Sequence, residues 1–274
     1  MMDNPEIGRS IVAGGYTTNY HDQGRGNPVM MIHGSGPGVT AWVNWRLNIP
    51  VLSERLRIIA PDMIGFGFSE RPADGVYTMA RWCDHLVALA DALKLETFDI
   101  VGNSFGGALA IAMAAAHPAR VRRMVLMGAA GISFPLTEGL DKVWGYEPSL
   151  DNMRALLNIF AYNKALVSDD LAELRYRASI RPGFQESFSK MFPAPRQNGI
   201  DALATPEDKI AKIECPTLIL HGREDRVIPM SNSLKLFGLI PNAELHLFGK
   251  CGHWTQIEHK DRFNTLVEDF LGRA

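Results

Sequence analysis

The sequence predicts an α/β fold, a mostly parallel sheet with helices on both faces and a helical lid inserted before the last strands. Three observations predict it. Short apolar runs recur at 29–32, 58–60, 98–101, 124–127, 217–220 and 245–247, most of them leading into glycine or a polar loop. Helical segments lie between most of these runs, and strands that are apolar on both faces and alternate with helices belong to a parallel sheet covered on both sides. From 133 to 208 the strand signal disappears and helical apolar spacing replaces it, as at 149–161 and 169–178. The expected organisation is a first core part at 1–132, a helical lid at 133–208 and a second core part at 209–274.

Taken in order, residues 7–13 and 16–21 read as an antiparallel hairpin turning at Gly14 and Gly15, at the edge of the sheet. The six apolar runs then supply the parallel strands. Within the insertion, the tract 181–206 carries Pro182, Pro193, Pro195 and Pro206, and is expected to break regular structure and to shape the pocket or the return to the core. Active residues of open α/β sheets sit just beyond the C-terminal ends of the strands, which directs attention to the loops after Ile32, Ala60, Val101, Met127, Leu220 and Leu247.

Composition bounds the function. A chain of 274 residues, 46% hydrophobic, can bury one large core. Its 28 basic and 30 acidic residues leave no field to attract nucleic acid or an anionic membrane. Cys83, Cys215 and Cys251 are odd in number, far apart and without metal-binding spacing, which argues for a reducing compartment, against zinc, and for core packing. The N-terminus lacks a basic stretch followed by an apolar one, and no run approaches the ~20 apolar residues of a membrane span. A cytoplasmic protein is expected.

The string GNSFG at 102–106 follows the apolar run 98–101 and precedes the small-residue segment from Gly107 to Ala116. Strand, Gly-x-Ser-x-Gly, helix is a nucleophile elbow, in which a sharp strained turn exposes a serine oxygen. Ser104 is therefore the candidate nucleophile. A serine hydroxyl needs a base within reach and an acid that orients the base. The order Ser, acid, His is satisfied by Asp225, in HGRED after the strand at 217–220, and His253, in the glycine-flanked loop after 245–247. Glu224 and Asp62 compete with Asp225; Glu224 neighbours it on the same loop, and Asp62 reads as structural. The remaining histidines considered, His21, His85, His117, His221, His246 and His259, read as structural. Cys251 lies two residues from His253, but nothing activates its thiol.

The glycine-rich loop HGSGPG at 33–38 suits an oxyanion, with the N–H groups of Ser35 and Phe105 as donors. A phosphate loop is excluded by the missing Gly-Lys-Ser/Thr ending and Rossmann spacing.

HGSGPG at 33, GNSFGG at 102, HGRED at 221 and CGHWTQIEH at 251 together resemble the meta-cleavage product hydrolases, α/β-hydrolases of bacterial aromatic degradation. VWGYEPS at 143, RASIRPGFQESF at 177 and FPAPRQ at 192 are similar to the branch serving monocyclic aromatics, so the likeness covers nearly the whole chain. The resemblance implies hydrolysis of a carbon–carbon bond in 2-hydroxy-6-oxohexa-2,4-dienoates such as 2-hydroxymuconate semialdehyde. The products would be a 2-hydroxypenta-2,4-dienoate and a small carboxylic acid. It implies no metal or organic cofactor, a small-molecule dienoate as substrate, and a homo-oligomer. Either Ser104 or a water activated beside it attacks the C6 carbonyl after ketonisation.

By the same resemblance, Arg181, Asn44, Asn103 and Trp254 bind the substrate carboxylate and 2-oxo group, and Ala130, Trp144, Ile200, Val227 and Ile228 form an apolar wall around the C6 substituent. The chain departs from the family at Asn198 and Gly199, where relatives carry a basic residue and a tryptophan. Two other readings stand beside this one. A carboxylesterase of the same fold would use the same triad without needing Arg181, and a catalytically silent relative would bind a small molecule.

Overall fold

Each of the six apolar runs forms part of a strand, and the N-terminal hairpin adds two more, in the computed structural model, which describes residues 4–273. The strands are β1 (Arg9–Ala13), β2 (Tyr16–Gln23), β3 (Pro28–Ile32), β4 (Arg57–Pro61), β5 (Phe98–Asn103), β6 (Val121–Met127), β7 (Thr217–Gly222) and β8 (Ala243–Phe248). They make one sheet in the order β1-β2-β4-β3-β5-β6-β7-β8. The pairings of β1 with β2 and of β2 with β4 are antiparallel, and all others are parallel. The hairpin turns where expected, with Gly14 and Gly15 at φ 59° and 87°, values that glycine adopts without a Cβ clash.

Register explains why the runs at the centre of the sheet are apolar on both faces. Met31, Val101, Val125 and Leu218 sit side by side across β3, β5, β6 and β7, and successive residues alternate faces. One face of the sheet, including Val29, Met31, Val101, Val125 and Leu220, packs against Trp45, Leu52, Phe263 and Val267 from helices Ala41–Trp45, Ile49–Leu52 and Lys260–Leu271. The other, including Met30, Ile32, Ile100, Met124 and Ile219, packs against helices Met79–Ala92 and Phe105–Ala116 through Leu86, Ala108 and Leu109. Each large side chain buried there contributes ~1.5–3 kcal/mol relative to exposure. Cys83 and Cys251 belong to these cores, and burial pushes each thiol up to about 12.

Between β6 and β7 the described chain forms helices Glu138–Trp144, Leu150–Phe160, Asp169–Ser179, Phe184–Met191, Gln197–Leu203 and Glu207–Ile210, and no strand. Three begin at side-chain caps: Thr137, Ser149 and Ser168 accept the N–H groups of Leu140, Asn152 and Leu171 at 3.0, 3.1 and 3.1 Å. The expectation of broken structure at 181–206 is corrected, because two helices form inside it. Its prolines fall at boundaries: Pro182 before one helix, Pro193 and Pro195 between two, and Pro206 at the start of the next. Proline at a helix boundary removes no internal hydrogen bond. No helix among the described residues is long and apolar enough to cross a membrane.

Candidate active site

Strand β5 ends at Asn103 and helix Phe105–Ala116 begins two residues later, leaving Ser104 at the corner with φ 54° and ψ −111°. A non-glycine residue in that region costs about 1–3 kcal/mol. The surroundings hold it there. Its N–H donates to the Met127 carbonyl at 2.9 Å, and its carbonyl accepts from Gly107 and Ala130 at 2.9 and 3.1 Å. A Cβ on Gly102 would lie 2.3 Å from the Gly106 carbonyl oxygen, and one on Gly106 would lie 2.3 Å from that of Ile32. Glycine on both sides is thus what permits strand and helix to cross so closely.

His253 and Asp225 come from the loops after β8 and β7. His253 Nδ1 lies 2.7 Å from Asp225 Oδ2, and Asp225 Oδ1 accepts the N–H groups of Val227 and Ile228 at 2.7 and 3.0 Å. Burial works to raise the Asp225 carboxyl, but His253, His221 and the Val227 N–H outweigh it and hold it below the usual carboxylate range. An ionised Asp225 places the proton on His253 Nδ1 and leaves the Nε2 lone pair to act as a base. The backbone of His253 is fixed as well, since its N–H donates to the Phe160 carbonyl at 2.8 Å.

The competing acids have other employment. Asp62 accepts from Ala41 N–H at 2.6 Å, Asn19 Nδ2 at 2.8 Å and Phe68 N–H at 2.9 Å. Glu224 accepts the Cys251 N–H at 2.9 Å and pairs with Arg223. His221 is bonded to Ser233 Oγ at 2.7 Å and to the Ile228 carbonyl at 3.1 Å, beneath the Asp225 carboxylate.

The loop after β3 is anchored by His33, whose Nε2 accepts the Met63 N–H at 3.0 Å while Nδ1 faces the Gly34 carbonyl at 2.7 Å. Burial pushes this imidazole down to about 4, so it is neutral and serves as a fixed donor and acceptor. Gly34 N–H donates to Asn44 Oδ1 at 3.2 Å, and Trp144 Nε1 donates to Ser35 Oγ at 3.0 Å. The N–H groups of Ser35 and Phe105 make no hydrogen bond among the described residues, which leaves both available to an anionic oxygen.

A cavity of about 610 Å³ opens over the elbow. Ser35, Asn44, Asn103, Ser104, His253 and Trp254 line it, so the expected polar residues other than the orienting Asp225 and the backbone donor Phe105 share one space. Asn44 Nδ2 is buried without a partner, while Asn103 Nδ2 donates to the Met127 carbonyl at 3.3 Å. Leu140, Val143, Met153, Leu157 and Val227 supply apolar lining.

One expectation requires correction. Of the predicted apolar wall, Val227 lines the cavity, but Ala130, Trp144, Ile200 and Ile228 lie in the core outside its lining. Helix Glu138–Trp144 turns Leu140 and Val143 to the cavity, and Trp144 instead stacks on Phe192 at 4.3 Å with an interplanar angle of 3°. Gly199 permits that position, because a Cβ there would stand 3.0 Å from the Trp144 ring.

Arg181 stands in the lining as expected, but not as a free cation. Its guanidinium is held by both oxygens of Glu6 at 2.7 and 3.1 Å. The buried cation without a carboxylate partner among the described residues is Arg175, which lines the cavity and spends one hydrogen bond on the Pro37 carbonyl at 3.1 Å. Burial pushes its pKa down to about 10, still charged at neutral pH. Sequence reasoning missed it, although a signal existed. Ala172, Arg175, Ala178 and Ser179 form the buried face of helix Asp169–Ser179, so an arginine occupies a position where helical spacing calls for a core residue.

The alpha/beta hydrolase fold family matches residues 27–260. The chain is 62% identical over 273 residues to the 2-hydroxymuconate semialdehyde hydrolase of Pseudomonas sp. (strain CF600), covering 100% of this chain and 96% of that relative. It is 60% identical to the 2-hydroxy-6-oxo-2,4-heptadienoate hydrolase of Pseudomonas putida (strain F1), covering 98% and 97% of the two chains. Among solved structures, a serine-to-alanine variant of the meta-cleavage product hydrolase of Pseudomonas fluorescens IP01, complexed with acetates, is 61% identical and superposes with a TM-score of 0.97 over 98% of this chain and 99% of that one.

Proposed function

The chain belongs to the meta-cleavage product hydrolases of the alpha/beta hydrolase fold, and on that premise we propose that it hydrolyses the C5–C6 bond of 2-hydroxy-6-oxohexa-2,4-dienoates. The products are 2-hydroxypenta-2,4-dienoate and a small carboxylic acid. The observation that carries the reading is the open guanidinium of Arg175 in the same cavity as Ser104 and His253. A buried cation aimed into a cavity that also holds a nucleophile and a base suits a substrate that is itself an anion. A plain esterase has no use for it.

In this reading Arg175 takes the carboxylate, and Asn44, Asn103 and Trp254 surround the 2-oxo end. Ketonisation moves a proton from the 2-hydroxyl to C5 and leaves a C3–C4 double bond, which makes the C5–C6 bond part of a vinylogous 1,5-diketone. Ser104 Oγ attacks C6 as its proton passes to His253 Nε2, and the C6 oxygen becomes an anion between the N–H groups of Ser35 and Phe105. The C5–C6 bond breaks, its electrons pass through C4 and C3 to the 2-oxygen, and that oxygen takes up the proton that His253 received, which gives the 2-hydroxypenta-2,4-dienoate. Water, deprotonated by His253, then attacks the acyl group on Ser104 and releases the acid. Residues 133–208 act as a lid that brings Arg175 and the apolar lining over the core. The cysteine usage and N-terminal composition support a cytoplasmic location, and the resemblance supports a homo-oligomer.

The test is bleaching of 2-hydroxymuconate semialdehyde and its 6-methyl analogue by wild type, Ser104→Ala and Arg175→Gln. Wild type bleaches both; Ser104→Ala loses at least ~10³-fold in kcat. Arg175→Gln raises KM by ~10 to 10²-fold, the worth of hydrogen bonds to a charged group. No bleaching by wild type, with esters turned over, would replace this reading by the esterase.

A further inference from the structure

The N-terminal residues Asn4, Pro5 and Glu6 lie against the cavity, far in sequence from everything else that lines it. Glu6 is buried, and its carboxylate joins three parts of the chain. Oε1 accepts Arg181 Nη2 at 2.7 Å, Oε2 accepts Arg181 Nη1 at 3.1 Å, and Oε2 also accepts Thr40 Oγ1 at 3.0 Å. A fork-to-fork pair of this kind fixes the guanidinium in one plane. The Arg181 guanidinium also rests 5.3 Å from the Phe68 ring centre and 5.7 Å from that of Phe184, so although it lines the cavity it is held by partners on several sides.

Glu6 also acts on the other arginine. It is close enough to favour the charged form of Arg175, which Arg181 opposes. The acid-binding end of the cavity therefore contains two guanidiniums and one carboxylate that feel one another. Arg46 is the other arginine lining the cavity, but it is exposed and water screens it.

Resting on the reading of Arg175 as the carboxylate binder, we propose that Glu6 is a specificity-determining residue: by occupying Arg181 it leaves one unpaired buried cation, so that this end of the cavity accepts a single carboxylate. Arg181 is then the shield that keeps Glu6 from repelling the substrate. Neither residue touches the reacting carbons. Their effect is on the affinity for charge.

The experiment is titration calorimetry of wild type, Glu6→Gln, Arg181→Gln and the double variant, each carrying Ser104→Ala so that no ester is hydrolysed, with 2-oxopentanoate and with its uncharged methyl ester. Removing the carboxylate releases a second cation, so Glu6→Gln binds the acid about tenfold more tightly; removing the shield makes Arg181→Gln bind it about tenfold more weakly. The double variant restores the wild-type charge and returns to within about threefold of wild type. The methyl ester discriminates little among the four proteins.

Equal effects on acid and ester, or a shift of the same sign in both single variants, would overturn the proposal, since a purely structural strap predicts loss in both. Should Glu6→Gln not fold, Arg181→Gln decides by the difference between acid and ester: loss confined to the acid supports the shield, while equal loss of both, or unchanged or tighter acid binding, contradicts it. Dienoate bleaching by wild type is read separately. Its absence would overturn the proposed reaction while leaving the charge balance standing or falling on the calorimetry.

Discussion

The elbow end of the cavity and the arginine end are built by different means. At the elbow, Ser104, His253 and Asp225 stand at the ends of β5, β8 and β7, and hydrogen bonds to Met127, Phe160, Val227 and Ile228 fix their backbones or acceptor oxygens. At the other end, Arg175 and Arg181 come from the segment between β6 and β7, and their surroundings come from residues 6, 37 and 40, which precede β4. The first arrangement is dictated by where strands stop. The second depends on which charged groups meet when two segments pack, and one carboxylate decides which arginine remains open.

The sharpest way to test the elbow half of that comparison is Asp225→Asn. It keeps the shape but loses the ionised acceptor that sets the His253 tautomer, and kcat is expected to fall ~10⁴-fold with little change in KM. A fall of less than tenfold would mean that Asp62 or another acid serves the base.

Backbone crowding offers a second contrast. Gly106→Ala places its Cβ 2.3 Å from the Ile32 carbonyl oxygen, an atom of the central sheet that cannot step aside, and should cost about 3 kcal/mol in denaturant unfolding. Gly199→Ala, in the insertion, meets the Trp144 ring at 3.0 Å, where a side chain can give way and the helix gains from alanine. Its effect should stay within about 1 kcal/mol. Comparable costs at the two glycines would erase the distinction.

Acid should act on the core between these extremes. Burial lowers His33 and His85 to about 4 from an ordinary value of 6.5. Each binds its proton more readily when unfolded, so the stability it contributes is present above pH 6.5 and is lost as pH falls toward 4. The slope is at most about 1.4 kcal/mol per pH unit per group. Thermal unfolding from pH 7 to pH 4.5 should show Tm falling most steeply below 6.5, and a flat profile there would contradict the neutral, buried state of both rings.

The legible parts of the molecule share a physical cause. GNSFG could be read because a strand-to-helix turn at that distance tolerates nothing larger than glycine at 102 and 106, so the geometry is written into local composition. Asp225 and His253 could be read because chain order and strand ends place them. The apolar wall could not, since Ile200 and Ile228 look the same in sequence whether they face a cavity or a core. The motif points to Arg181 and is silent on Arg175, which the burial of helix Asp169–Ser179 and the Glu6 pairing of Arg181 bring forward.

What the sequence by itself determined is whatever depends on neighbours along the chain: the apolar strands, the capped helices, the strained serine and the order of the triad. Tertiary structure alone decided which arginine is open to a ligand. A guanidinium's availability depends on whether a carboxylate 175 residues away, Glu6, reaches it, and no local pattern records a contact between segments that meet only on folding.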